Sequence, residues 1–152
     1  MIQIYQTATG ALHGLAPYAA LAARLVIGVM FALSGWCKLT NAEQHAKMRR
    51  SLQEAGIRAP EVQGWLVAAC ELLFGGLLVL GLATPLGAGV LAIICLVALF
   101  TVTGKEIEGA SPLMRLSSLL YKPEVLLLTL LTWLIVAGPG SLSLDGALGL
   151  AA

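Results

Sequence analysis

Residues 65–82, WLVAACELLFGGLLVLGL, decide how this chain is read. All but one of them are apolar or glycine, and the exception, Glu71, is a carboxylate. A helix needs ~20 mostly apolar residues to cross the hydrocarbon of a bilayer, so this run nearly suffices alone. Residues 18–36 have the same form, with Arg24 as the lone charge. A charge in lipid costs several kcal/mol unless it is paired or hydrated, which makes Glu71 and Arg24 candidate functional residues by default.

The rest of the chain agrees with a membrane setting. It has 152 residues, of which 59% are hydrophobic and only 11% charged, against roughly 25% charged in an average soluble domain. A single soluble core of this size cannot hide so much Leu, Val and Ala, and the mean hydropathy is +0.90. Four segments suit spanning helices: 17–39, 63–82, 86–103 and 123–138. The reading is an all-α membrane protein, a four-transmembrane-helix bundle in one domain over 1–152, with a short amphipathic cytoplasmic helix between the first two spans. Residues 1–14 carry no Lys or Arg, so the basic region of a cleaved signal peptide is missing and the first run reads as a retained helix.

Orientation follows from the cations. Lys38, Lys47, Arg49, Arg50 and Arg58 fall between the first two spans, and Lys105, Arg115 and Lys122 between the last two. The remaining stretches outside the spans hold none, so both termini are expected on the non-cytoplasmic side of the inner membrane. A formal net charge of +1 gives no reason to expect nucleic acid as a partner. Cys37, Cys70 and Cys95 are scattered over the helices and read as buried small hydrophobes. None is placed for an outer-face disulfide or for disulfide exchange.

Pro17, Pro60, Pro85 and Pro123 each stand at the first turn of a helix, where the missing N–H costs nothing. Thr84 reads as the N-cap of the third span. Thr40-Asn41-Ala42-Glu43 reads as a capping box opening a helix that runs through Ala55 to Gly56, and its cations suit anionic headgroups. Ser111-Pro112 opens a second short helix over 113–120. The segment 141–145 alternates polar and apolar residues but is too brief to span.

Arg24, Gly28, Phe31, Gly35 and Lys38 follow at spacings of four, three, four and three, within about 40° of one line on a helix. Glycines let another backbone approach closely, so this face points into the bundle. On the second span Gly64, Ala68, Glu71 and Gly75 share a stripe. Counting 1.5 Å per residue places Arg24 and Glu71 about 9 Å apart in depth, and Glu71 is expected to bridge Arg24 and Lys38. Glu124 starts the fourth span at the level of Lys38, pairing with it or capping its own helix. Arg24, Lys38, Glu71 and Glu124 therefore form the candidate buried charged site. Gly28, Gly35, Gly75 and Gly76 are the candidate packing glycines. His13 and His45 are isolated, which leaves no metal site, and no catalytic or cofactor-binding motif is visible.

These residues carry a resemblance to the DoxX family of small four-helix membrane proteins. It rests on Arg24-Leu25 with Gly28, on Ser34-Gly35-Trp36-Cys37-Lys38-Leu39, and on Gly56-Ile57. Glu71-Leu72-Leu73-Phe74-Gly75-Gly76 and Leu80-Gly81-Leu82-Ala83-Thr84 continue it. Glu124 and Gly138-Pro139-Gly140-Ser141-Leu142-Ser143-Leu144-Asp145 complete it, so it covers about 22–147. The chain departs from the pattern by a longer 104–122 loop and by Pro85 directly after Thr84. The resemblance implies an inner-membrane protein linked to redox or sulfur metabolism, working with a partner subunit, with quinone as the implied cofactor. Three functions fit. One is a quinone-linked redox membrane subunit with a head group beside Glu71 and Arg24. Another is a proton-coupled exporter using Glu71, with homo-oligomers expected. The third is a non-catalytic assembly factor in which the charges join helices.

Overall fold

The computed structural model describes residues 14–101 and 111–149, all helices and connecting turns with no strand among them. Helix α1 (Ala16–Thr40) is followed by α2 (Ala42–Glu54), α3 (Pro60–Leu80), α4 (Thr84–Thr101), α5 (Pro112–Leu120), α6 (Pro123–Ala137) and the single turn α7 (Leu144–Ala147). Helices α1, α3 and α4 are each long and apolar enough to cross a membrane, and α5 with α6 makes a further candidate span bent by 59°. Expected residues 102 and 103 of the third span, with Lys105, Glu106, Glu108 and His13, lie outside the described residues.

Local chemistry explains where the helices begin and end. Pro17, Pro60, Pro112 and Pro123 occupy first-turn positions. Helix α3 begins three residues before the expected span start at 63 because Pro60 starts it. It ends at Gly81, whose φ of +69° is left-handed. There the N–H of Leu82 donates to Leu77 and that of Gly81 to Leu78, a Schellman closure. The capping box is corrected: Thr40 belongs to α1 and donates to the Trp36 carbonyl. Asn41 caps α2 instead, its Oδ1 accepting from the N–H groups of Glu43 and Gln44, because α1 continues through Thr40.

Helix α1 packs chiefly on α3, α4 packs on α6, and α3 meets α4. Ile27, Phe31, Leu78, Leu91, Leu131 and Leu134 join in one core. The outward faces carry Val26, Leu66, Ile93, Phe100 and Val136, which suits lipid and not water. Cys95 is buried, Cys70 partly so, and Cys37 exposed. Cys37 thus departs from its expected burial, because the turn that aims Lys38 inward points its neighbour out.

The α1–α3 contact is made of bare backbone. A Cβ on Gly35 would stand 2.5 Å from both the Ala68 carbonyl oxygen and the Leu72 amide nitrogen. One on Gly75 would stand 2.6 Å from the Ala32 nitrogen, and one on Gly28 2.8 Å from the Gly75 carbonyl oxygen. Gly76 has nothing within 4 Å of its added Cβ, since one helical step turns it 100° away from the contact. Gly35→Ala should therefore lower stability by about 1–3 kcal/mol through overpacking. Gly76→Ala should be neutral or stabilise by up to about 1 kcal/mol through helix propensity. Thermal unfolding of the two variants in one detergent checks the contrast.

Candidate functional site

Polar groups collect at opposite ends of the α1–α3 pair. At one end the Lys38 ammonium donates to both carboxylate oxygens of Glu71, at 2.6 Å each. Its side chain is 24% exposed and that of Glu71 only 6%. Backbone register makes this pairing. Gly35 touches Ala68 and Leu72, the residues that flank Glu71, and Lys38 lies three residues further on, ~4.5 Å along the axis. The four-carbon lysine stem covers that interval.

Beside the ion pair lies a cavity of about 300 Å³. Met48, Ser51 and Leu52 of α2 close one side and Val67 of α3 another, while Ile93 and Val97 of α4 stand at its exposed edge. The lining is largely apolar, with Lys38 and Glu71 as its charged part. Glu124 stands in the first turn of α6 with its Oε2 buried, and it does not line this cavity.

Arg24 is elsewhere. It is fully buried and donates through Nη2 to the Leu142 carbonyl. Its guanidinium lies against Gly81, where an added Cβ would overlap it. The expected Arg24–Glu71–Lys38 bridge is not formed. Counting from Gly35, Arg24 lies eleven residues back, ~16 Å along α1 from the level of Glu71. The 9 Å estimate failed because it took Lys38 and Gln63 as level, whereas the glycine contacts set the register. Nε and Nη1 of Arg24 have no hydrogen-bond partner among the described residues.

Around Arg24 the C-terminal segment is tied to the α3–α4 turn. Asp145, only 4% exposed, accepts from the N–H groups of Ala83 at 2.8 Å and Thr84 at 2.9 Å. Its own N–H donates to the Gly81 carbonyl at 2.9 Å. The cap of α4 is therefore a carboxylate from sixty-one residues away, and not the Thr84 hydroxyl, which is buried beside it. A carboxylate at this end is also favoured by the helix dipole. Ser143 caps α7 by accepting from the Gly146 N–H at 2.9 Å. Asp145 was missed as a site residue because its partners are backbone groups, which leave no side-chain pattern. The acid at the close of 141–145 was the available signal.

Long apolar helices, an ion pair inside them and a lipid-facing exterior define an integral membrane protein. The DoxX family model matches residues 19–104, more than half of the chain, and the chain belongs to the DoxX family. No curated protein and no solved structure matches it. The matched segment holds Arg24, Lys38 and Glu71 and stops before Glu124 and Asp145.

Among the described residues no group of three or more His, Cys, Asp or Glu is placed to hold a metal. The cap at Asp145 has a pH signature. Burial pushes its carboxyl upward, but the N–H groups of Thr84 and Ala83 and the nearby Arg24 charge outweigh that and hold it below the ordinary aspartate range. A depressed carboxyl stabilises the fold fully above about pH 4 and loses that contribution as pH falls through its folded-state value. Acidification from pH 5 towards 3 should therefore destabilise wild type more than Asp145→Asn. At pH 7 the variant should already be weaker by about 1.5–3 kcal/mol, the worth of hydrogen bonds to a charged group. Thermal melts across that pH range measure both effects.

Proposed function

We propose that this protein is an inner-membrane, quinone-linked redox subunit whose Lys38–Glu71 cavity receives a lipophilic head group. Four spans carry it, with α6 as the last and α5, bent 59° from it, leading into it from the cytoplasmic side. Its Lys and Arg outside the spans face the cytoplasm, following the positive-inside bias, and both termini face away. Helix α2 then lies along the cytoplasmic surface with its cations toward headgroups.

The observation that carries the reading is a charged pair in the wall of a largely apolar cavity between α2 and the spans α3 and α4. About 300 Å³ is at the small end of ligand pockets, enough for a ring but not for its isoprenoid tail, which can remain in lipid. Ammonium N–H groups of Lys38 suit a carbonyl oxygen, while Val67, Ile93 and Val97 suit the ring. Glu71 holds Lys38 in place and compensates its charge, which a lone buried lysine would lack. A bound quinone would supply acceptance of two electrons and two protons, the electrons coming from a redox partner subunit. The residues of this chain bind and orient the head and keep the region dry. Arg24 takes no part in that pocket; with Asp145 it fastens the other end of the bundle. An exporter that cycles Glu71 between proton and cation is less well supported, because a cationic substrate would first have to displace Lys38.

Equilibrium binding of short-chain ubiquinone and menaquinone analogues to the purified protein tests the reading. Wild type should bind at least one of them. Lys38→Met should weaken binding about tenfold, the scale of one charge-assisted hydrogen bond, and Val97→Trp should block the cavity while leaving the ion pair. Absent binding in wild type, or unchanged affinity in both variants, refutes the proposal.

A further inference from the structure

A second cavity, of about 340 Å³, lies on the other flank of α2, in the corner where α1 turns into α2 and meets the first turns of α3. Its polar wall is His45 and Arg49 of α2, Glu61 of α3 and the Asn41 corner, and Trp65 is among its apolar parts. His45 and Arg49 are one helical turn apart and share a face. Met48, Ser51 and Leu52 line the first cavity and not this one, so α2 contributes different residues to two distinct spaces.

This wall holds both signs of charge, loosely joined. His45 Nε2 lies 3.3 Å from one Glu61 oxygen, and Arg49 Nη1 lies 3.5 Å from the other. Glu61 and Arg49 are about half exposed, so this pairing contributes little stability and can exchange partners. The His45 ring stacks on Trp65 with centroids 4.4 Å apart. Its Nδ1 is buried with no partner among the described residues. In the tautomer whose Nε2–H donates to Glu61, Nδ1 is an acceptor that a ligand donor can satisfy. The position matters as well. The corner follows directly on the end of the α1 span, with Trp36 and Trp65 exposed nearby, where indoles mark a membrane–water interface.

From these features we infer that this corner binds the phosphoethanolamine head group of a membrane phospholipid. Arg49 takes the phosphate. Glu61 takes the ammonium, whose N–H groups also meet the acceptor need at His45. Phosphatidylcholine carries the same charges but no ammonium N–H, and phosphatidylglycerol has no ammonium at all. The site therefore selects among lipids by hydrogen-bond donors and not by net charge. This inference is independent of any quinone at the Lys38–Glu71 cavity.

The test uses the full chain purified in detergent. Phosphatidylethanolamine, phosphatidylcholine and phosphatidylglycerol with matched acyl chains are titrated in, and retained lipid is counted by native mass spectrometry. Phosphatidylethanolamine should be held about tenfold more strongly than phosphatidylcholine, the scale of a hydrogen bond to a charged group. Glu61→Gln should erase that preference, and His45→Phe, which keeps the stacked ring but removes the nitrogens, should reduce it. Arg49→Met should weaken both zwitterionic lipids alike. Equal retention of the three lipids, preference for phosphatidylglycerol, or a preference that survives both Glu61→Gln and His45→Phe overturns the inference. So does competition by soluble glycerophosphoethanolamine at the same concentration as the lipid, which would make the ligand a soluble one.

Discussion

The contact that governs this molecule is backbone against backbone, where Gly28 and Gly35 of α1 meet Gly75 and the Ala68–Leu72 turn of α3. Side chains can repack and let helices slide, but two peptide chains held at this distance cannot shift without collision. The two helices therefore have one register, and that register sorts the charges. Lys38 reaches Glu71, and Arg24 is left about three turns away. A pair that spans one turn is satisfied in lipid, whereas a pair that had to span three would leave both ends exposed to the desolvation cost.

Sorting the charges divides the labour. The Lys38–Glu71 end keeps a charged pair beside an apolar cavity, an arrangement able to orient a lipophilic head. The Arg24 end is a closed knot in which Gly81, Ala83, Thr84, Leu142 and Asp145 exchange backbone and side-chain hydrogen bonds. That knot fixes the α3–α4 turn and the segment after α6 to α1. Several stretches that carried the family resemblance meet here: the arginine opening of the first span, the turn after the second, and the Ser-Leu-Ser-Leu-Asp segment after the last. Their meeting here ties the two turns to α1.

Much of this was legible in the residues. Apolar runs of spanning length mark α1, α3 and α4, and prolines mark their starts, because those signals are local. The spacing of Arg24, Gly28, Phe31, Gly35 and Lys38 correctly puts them on one face, because helical phase is also local. The choice between Arg24 and Lys38 as partner of Glu71 was not legible. It depends on an interhelical offset of a few residues, and both cations share the face that meets α3. The cap of α4 was hidden for a related reason: Asp145 is distant in sequence and serves amide groups, which every residue has. The Asn41 cap was misread by one residue, since Thr40 and Asn41 are both competent caps and only the continuation of α1 through Thr40 decides between them.

A pair of double-mutant cycles addresses the register and its charges most directly. Unfolding free energies would be measured for Lys38→Met, Glu71→Leu and their combination, and in parallel for Arg24→Met, Glu71→Leu and theirs. The account predicts coupling of about 1–2 kcal/mol between Lys38 and Glu71, because losing Lys38 strands the buried carboxylate while losing Glu71 leaves only a partly exposed ammonium. It predicts additivity within about 0.5 kcal/mol for Arg24 and Glu71. Coupling between Arg24 and Glu71, with additivity between Lys38 and Glu71, would contradict it.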